Sequence, residues 1–124
     1  MTAKEREQLR KELIDRLTVT YQVARENLSA TTVAEAVDAH DPEDEGDESA
    51  IDELRALDAS LDDRELHLAH AIIDALRRMR NDAYGICIDC GREIPFERLR
   101  AIPWTLRCAP DAERVERVHE HPTL

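Results

Sequence analysis

One stretch determines how the C-terminal third of this 124-residue chain can fold: YGICIDCGREIPFERLRAIPWTLRCAPD, residues 84–111. Two residues separate Cys87 from Cys90, and 17 more lead to Cys108, which Asp111 follows after another two-residue gap. A two-residue gap lets one tight turn direct both thiolates at one ion, and a loop of about 15 to 20 residues returns the second pair. The spacing C-x2-C-x17-C-x2-D therefore predicts a small zinc-finger-like module with Asp111 as the fourth zinc ligand.

Other interpretations of the cysteines stay open. A carboxylate oxygen is a harder donor than sulfur and should lower zinc affinity, and a finger that no longer needs metal would bury its cysteines as small hydrophobic side chains. His119 and His121 could complete the site from the last helix. A dithiol redox site is disfavoured because Cys87 and Cys90 follow a long helix and no βαβ unit. An open catalytic zinc site is disfavoured because the sequence indicates no nearby Glu that could act on a zinc-bound water.

The charge of the chain argues against one class of function. Lys and Arg number 17 against 28 Asp and Glu, which gives a formal net charge of −11. So acidic a surface repels phosphate backbones, and direct DNA or RNA binding is not expected. Charged residues make up 36% and aromatic residues 3% of the chain, a composition that favours long helices with a narrow apolar seam.

Two further compositional features bear on the compartment. The sequence has no apolar run of about 18 residues that could span a bilayer, and its first residues lack the apolar segment of a signal peptide. Three cysteines are an odd number, which argues against a secreted disulfide scaffold. We therefore expect a cytoplasmic protein without membrane contact.

Two amphipathic helices are predicted before the cysteine-bearing segment. Residues 2–28 carry apolar side chains at steps of three and four, and residues 29–40 could prolong that helix. Residues 47–81 follow a near-heptad rhythm, and some 30 helical residues there would reach on the order of 45 Å. The two stripes consist of Leu9, Leu13, Leu17, Tyr21, Ala24 and Leu28, and of Leu54, Leu57, Leu61, Leu68, Ile72, Leu76 and Met79. Helices joined by one tight turn bury such stripes against each other.

The predicted fold is mainly α. It has a long antiparallel coiled-coil hairpin over residues 1–81, and a small zinc-finger-like globular module with a C-terminal helix over residues 82–124. Within the second part, Pro95 would start a short helix and Pro110 would start the last one. The alternative is a three-helix bundle that recruits the C-terminal segment.

The turn between the two helices is densely acidic. Residues 41–49, DPEDEGDES, contain Pro42, Gly46 and six carboxylates. Proline cannot continue a helix and glycine permits a reversal, so the chain turns here. Taken alone, such a charge run is typical of a solvated turn.

Together, these features resemble the DksA/TraR family of bacterial RNA polymerase regulators. The resemblance rests on residues 84–108, with the Tyr-Gly-x-Cys-x-x-Cys-Gly opening, the Ile94-Pro95 step and Pro103 before the third cysteine. The hairpin with an acidic tip matches the family's architecture. The resemblance implies a protein that binds RNA polymerase directly through its secondary channel, where a tip motif D-x-x-D-x-A acts near the catalytic centre.

Two registers of that tip motif are available. The preferred one uses Asp44, Asp47 and Ser49, because Asp47 then lies about as far before the first cysteine as gapless pairing with the family asks. The other uses Asp41 and Asp44 and ends on Gly46. Neither keeps the small apolar Ala of the family motif.

The resemblance also bears on regulation by guanosine tetraphosphate. Family members that respond to this nucleotide use basic side chains near the finger, and the matching positions here are Ala71, Ile102 and Ala112. None of them is basic, so coupling to guanosine tetraphosphate is not expected.

The leading functional hypothesis is a transcription regulator with no catalytic residues. An alternative is a structural or adaptor protein whose helical hairpin binds another protein. A metal-dependent enzyme ranks last, because no phosphate loop and no Ser/His/Asp set is present. His67 and His70 lie near one another on a helix, but no third ligand is spaced to join them.

Overall fold

The structure is a computed structural model that describes residues 1–39 and 50–120. Its helices are α1 (Ala3–Gln22), α2 (Ala30–Ala39), α3 (Ala50–Arg55), α4 (Asp63–Arg80), α5 (Phe96–Ala101) and α6 (Ala109–Glu120), with a 3₁₀ turn over Ala56–Ser60. An isolated antiparallel bridge joins Ile86 to Glu93. The predicted mainly α fold, with a finger-like module and a C-terminal helix, is confirmed.

Helix α1 begins at a local cap and ends earlier than predicted. The side chain of Thr2 accepts a hydrogen bond from the Glu5 amide, and the Glu5 carboxylate accepts one from the Thr2 amide, which completes a capping box. The predicted continuation to residue 28 is wrong, because the helix ends at Gln22. The Gln22 side chain then donates to the Leu28 carbonyl, and the Ser29 hydroxyl accepts from the Thr32 amide at the start of α2.

The predicted second helix is also interrupted. Residues 56–60 tighten into the 3₁₀ turn, and Leu61 is extended, with φ −96° and ψ 146°. Asp62 then caps α4 in a second capping box with Glu65. A cap this complete starts a new helix, because it satisfies amides that have no partner within the first turn.

Helices α1 and α4 form the antiparallel pair at the centre of the protein. At one end, Arg6 near the start of α1 donates to the carbonyl of Met79 near the end of α4 and pairs with Asp82 at 3.3 Å. At the other end, the Tyr21 hydroxyl donates to Asp58, just before α4, at 2.6 Å. The stripe of α1 is buried in this pair, so the prediction of its inward face is confirmed.

Helix α2 does not extend the pair but runs back along α1. Near its end, the Asp38 carboxylate lies 2.8 Å from Arg10, and the Val37 carbonyl accepts from Arg80 at 3.3 Å. Helix α3 packs on α2. The described chain that precedes the acidic segment therefore ends near the start of α1. The segment itself, including Asp44, Asp47 and Ser49, lies outside the described residues.

The finger region packs against the helical pair. Tyr84, Cys87, Ile94 and Leu99 belong to the same buried cluster as the apolar faces of α1 and α4. Arg16 of α1 also lies over the ring of Trp104, 5.4 Å from its centroid. The division into residues 1–81 and 82–124 stays a prediction, and the core runs continuously across it.

Candidate metal centre

Four side chains from two turns of the finger region converge on one point. The sulfur atoms of Cys87, Cys90 and Cys108 and a carboxylate oxygen of Asp111 all lie within 4.8 Å of one another. Cys87 is buried, Cys90 is exposed, and the other two are half-buried. The structure thus brings together the four residues that the spacing predicts as metal ligands.

The first turn is shaped by backbone hydrogen bonds and two glycines. The Cys87 amide donates to the Arg92 carbonyl at 2.9 Å, and the Gly91 amide donates back to the Cys87 carbonyl at 3.0 Å. Gly85 and Gly91 flank the cysteine pair with φ of +84° and +72°, backbone conformations that other residues adopt only under strain. This reversal presents both sulfur atoms on one side.

The second turn uses the start of a helix. Cys108 directly precedes α6, and its carbonyl accepts from the Ala112 amide at 2.9 Å. Asp111 lies in the first turn of α6, three residues after Cys108, and therefore on the same side of the helix. One helix start thus supplies two of the four donor atoms.

One sulfur–sulfur distance matches that expected around a tetrahedral ion of the zinc class. Two sulfur atoms bound to zinc at about 2.3 Å and at a tetrahedral angle lie about 3.8 Å apart. The Cys90 and Cys108 sulfur atoms lie 3.8 Å apart. Oδ2 of Asp111 lies 3.2 Å from the Cys87 sulfur and 3.1 Å from that of Cys108, which is shorter than the roughly 3.6 Å that mixed ligation gives and suits shared protons. The cluster is compatible with zinc binding, as predicted, and Asp111 as a ligand stays a prediction.

The thiols and the carboxylate shift each other's pKa. Hydrogen bonds from the Cys108, Cys87 and Cys90 thiols lower the pKa of Asp111 to about 2. The same bond to Asp111 raises the pKa of Cys108 to about 12. Burial alone would raise the pKa of the Cys87 thiol, but backbone hydrogen bonds at Cys108 and Cys90 outweigh it and lower that pKa. A bound cation would replace the shared protons, so metal binding should release them.

A second layer of charged side chains surrounds the cluster, and the spacing of the cysteines does not predict it. Asp89, inside the first cysteine pair, accepts from Nε of Arg107 at 2.7 Å. Arg114 of α6 lies 3.9 Å from Asp89 and 3.4 Å from Oδ1 of Asp111. The step of three residues from Asp111 to Arg114 was the available signal, since such residues neighbour each other on a helix.

The other sequence-predicted positions fall into three groups. Ala71, Ile102 and Ala112, the three matched to nucleotide-binding positions, line one cavity of about 340 Å³. His70 donates from Nε2 to Asp58 at 2.7 Å, and His67 is exposed. Neither histidine belongs to the metal cluster. Of the two tail histidines, His121 lies outside the described residues, as does the side chain of His119.

Comparison with known proteins identifies the finger. Residues 83–117 match the family model described as the prokaryotic dksA/traR C4-type zinc finger. This segment belongs to the DksA/TraR zinc-finger family. The resemblance inferred from the sequence is confirmed, and the cysteine-and-aspartate cluster fits a variant of the family's four-cysteine site.

Curated relatives extend the similarity beyond the finger. The chain is 45% identical over 83 residues to an uncharacterised protein of Aquifex aeolicus (strain VF5), covering 67% of this chain and 55% of that one. It is 35% identical over 79 residues to the RNA polymerase-binding transcription factor DksA of Caulobacter vibrioides, covering 61% and 56%. General stress protein 16O of Bacillus subtilis is 34% identical over 62 residues, covering 48% and 38%.

The chain thus spans between about 38% and 56% of the length of these curated relatives. No solved structure matches the chain significantly. Among the described helices, none combines the length and the apolar character needed to cross a bilayer.

Proposed function

We propose that this chain is a cytoplasmic transcription regulator that binds RNA polymerase directly and catalyses no reaction of its own. The observation that carries the proposal is the convergence of Cys87, Cys90, Cys108 and Asp111 inside a segment matched to the DksA/TraR finger. The relative named as an RNA polymerase-binding transcription factor aligns over 61% of the chain. A net charge of −11 supports a protein partner over the phosphate backbone of DNA.

The finer part of the proposal concerns where the chain acts. We infer that Asp44, Asp47 and Ser49 enter the secondary channel of the polymerase and place negative charge near its catalytic centre. Carboxylates perturb basic side chains and metal ions by charge and by charge-assisted hydrogen bonds. This assignment depends on the family resemblance of residues 41–49, which lie outside the described residues.

The described helices place a requirement on that mechanism. Helix α2 lies back along α1, with Asp38 beside Arg10, so α2 and α3 do not lengthen the α1–α4 pair. To act as the end of a long rod, α2 and α3 would have to swing away from the pair. The helices are interrupted after Gln22 and at Leu61. The Tyr21–Asp58 hydrogen bond holds these two interruptions together at one end of the α1–α4 pair.

The proposal is tested by co-purification with core RNA polymerase, followed by crosslinking from position 47 and by an initiation assay. We expect Asp44→Asn with Asp47→Asn to keep binding but abolish the effect on initiation. The matched control is Glu26→Gln with Glu35→Gln, which removes the same charge from exposed positions near and on α2. Failure of the unmodified chain to bind polymerase would refute the function, whereas full regulation by the double Asn variant would refute only the tip.

One observation favours the adaptor alternative. Val19 and Val23 lie one turn apart at the end of α1 and are 63% and 62% exposed, more than any other large hydrophobic side chain that the structure describes. If the chain binds another protein through this face, Val19→Ser with Val23→Ser should abolish capture of that partner. Under the polymerase proposal the same double variant should leave polymerase binding within about two-fold of the unmodified chain.

A further inference from the structure

The two carboxylate oxygens of Asp111 face different partners. Oδ2 lies against the sulfur atoms of Cys87 and Cys108, at 3.2 and 3.1 Å. Oδ1 lies 3.4 Å from Nη2 of Arg114, one turn further along α6. The carboxylate is therefore oriented, with one oxygen inside the cluster and the other on a guanidinium group.

This orientation answers a problem specific to a carboxylate ligand. A thiolate has one donor atom, whereas a carboxylate has two and can bind through either or both. We propose that Arg114 is a positioning residue for the metal centre, which engages Oδ1 of Asp111 and leaves Oδ2 as the single oxygen available to the ion. Arg114 thereby adapts a four-cysteine finger to an aspartate in the fourth position.

Arg114 also belongs to a wider network of charged side chains around the cluster. Three thiolates and a carboxylate around a divalent cation carry a net charge of −2, and Asp89 adds a further negative charge beside the first cysteine pair. Arg107 pairs with Asp89 at 2.7 Å, and Arg114 lies between Asp89 and Asp111. Arg114 thus links both halves of the finger through their charged side chains.

The size of the effect follows from exposure. Mutation of a side chain that hydrogen-bonds to a metal ligand typically weakens metal binding about 10- to 100-fold. The Arg114 side chain is 64% exposed, so water screens its charge and the low end of that range applies. We expect Arg114→Gln to weaken zinc binding about 10-fold. The inference concerns the metal centre alone and does not depend on polymerase binding.

The test measures zinc affinity of the full chain by competition with a chromophoric chelator. Arg64→Gln is the matched control, because Arg64 is an exposed helical arginine outside the cluster and its loss changes the net charge equally. We expect less than a two-fold change for Arg64→Gln. Partial recovery is expected for Arg114→Lys, which keeps the charge but not the planar donors. Equal effects of Arg114→Gln and Arg64→Gln would overturn the proposal.

A double-mutant cycle separates positioning from general electrostatics. In an Asp111→Cys background the carboxylate is absent, so Arg114→Gln should change zinc affinity less than two-fold. Cobalt provides a second readout. Arg114→Gln should alter the visible absorption spectrum of the Co²⁺-loaded protein when Asp111 is present but leave it unchanged in the Asp111→Cys background. A 10-fold loss in both backgrounds would show that Arg114 acts by charge alone and would refute the inference.

Discussion

The hydrogen-bonded group Tyr21–Asp58–His70 should hold together the helix interruptions after Gln22 and at Leu61. Removing it should lower the free energy of unfolding measurably. The Tyr21 hydroxyl donates to one oxygen of Asp58 at 2.6 Å, and His70 lies 2.7 Å from the other. Since an ionised carboxylate only accepts, Nε2 of His70 carries the hydrogen of that bond. The three side chains join the end of α1, the 3₁₀ turn and α4.

The magnitude follows from burial. A hydrogen bond to a charged group contributes about 1.5–3 kcal/mol to stability. Tyr21 is fully buried, but the Asp58 side chain is 21% exposed, so screening by water should bring the contribution to the bottom of that range or slightly below it. We expect Tyr21→Phe to lower the free energy of unfolding by about 1–2 kcal/mol. Asp58→Ala should cost more, because it also removes the partner of His70.

The assay is urea unfolding of the zinc-loaded chain, followed by far-UV circular dichroism, for both single variants and the double variant. If the hydroxyl and the carboxylate interact directly, the double variant should be less destabilised than the sum of the singles by about 1–2 kcal/mol. Additivity of the two changes within about 0.5 kcal/mol would refute the reasoning. Glu53→Ala is the control, an exposed carboxylate on the neighbouring α3.

Three further outcomes are expected. Burial, reinforced at Tyr21 by Asp58, raises the pKa of Tyr21 and Tyr84. The folded chain then holds both phenol protons more tightly than the unfolded chain, so stability should be complete below pH of about 10 and fall above it, less steeply in Tyr21→Phe. Gly85→Ala should cost about 1–2 kcal/mol in urea unfolding from backbone strain at φ +84°, since its new Cβ would lie no closer than 3.4 Å to a side chain. Metal analysis should find more zinc in Asp111→Cys than in the unmodified chain and less in Asp111→Ala; equal zinc in all three would exclude the carboxylate as a ligand.

Local sequence signals predicted the outer bounds of the helical regions and missed the interruptions inside them. The apolar steps of Leu9, Leu13 and Leu17 predicted the buried face of α1, and Pro95 marked the start of α5. The apolar period also runs on past Gln22 and across Leu61, where the structure interrupts the helix. Periodicity reports which face of a helix is apolar, and it does not report what covers that face.

The apolar side chains that α2 and α3 bury explain why α2 returns along α1 and does not extend the α1–α4 pair. Val33 is fully buried, and Ile51 and Leu54 are 1% and 5% exposed in contact with the rest of the core. On a straight two-helix rod each of these side chains would have only the opposite helix as a partner. Packing of α2 against α1 and α4, with α3 on α2, removes more apolar surface from water, at about 25 cal/mol per Å².

By itself, the order of residues predicted the four candidate ligand positions, the family of the finger and the inward face of α1, because tight turns and helical periods depend on neighbours in the chain. Only the tertiary structure decided that α2 returns along α1, that Arg114 comes close to Asp89, and that Tyr21 meets Asp58 and His70. Those contacts join residues whose separation in space depends on how every helix packs, and no local pattern encodes that distance.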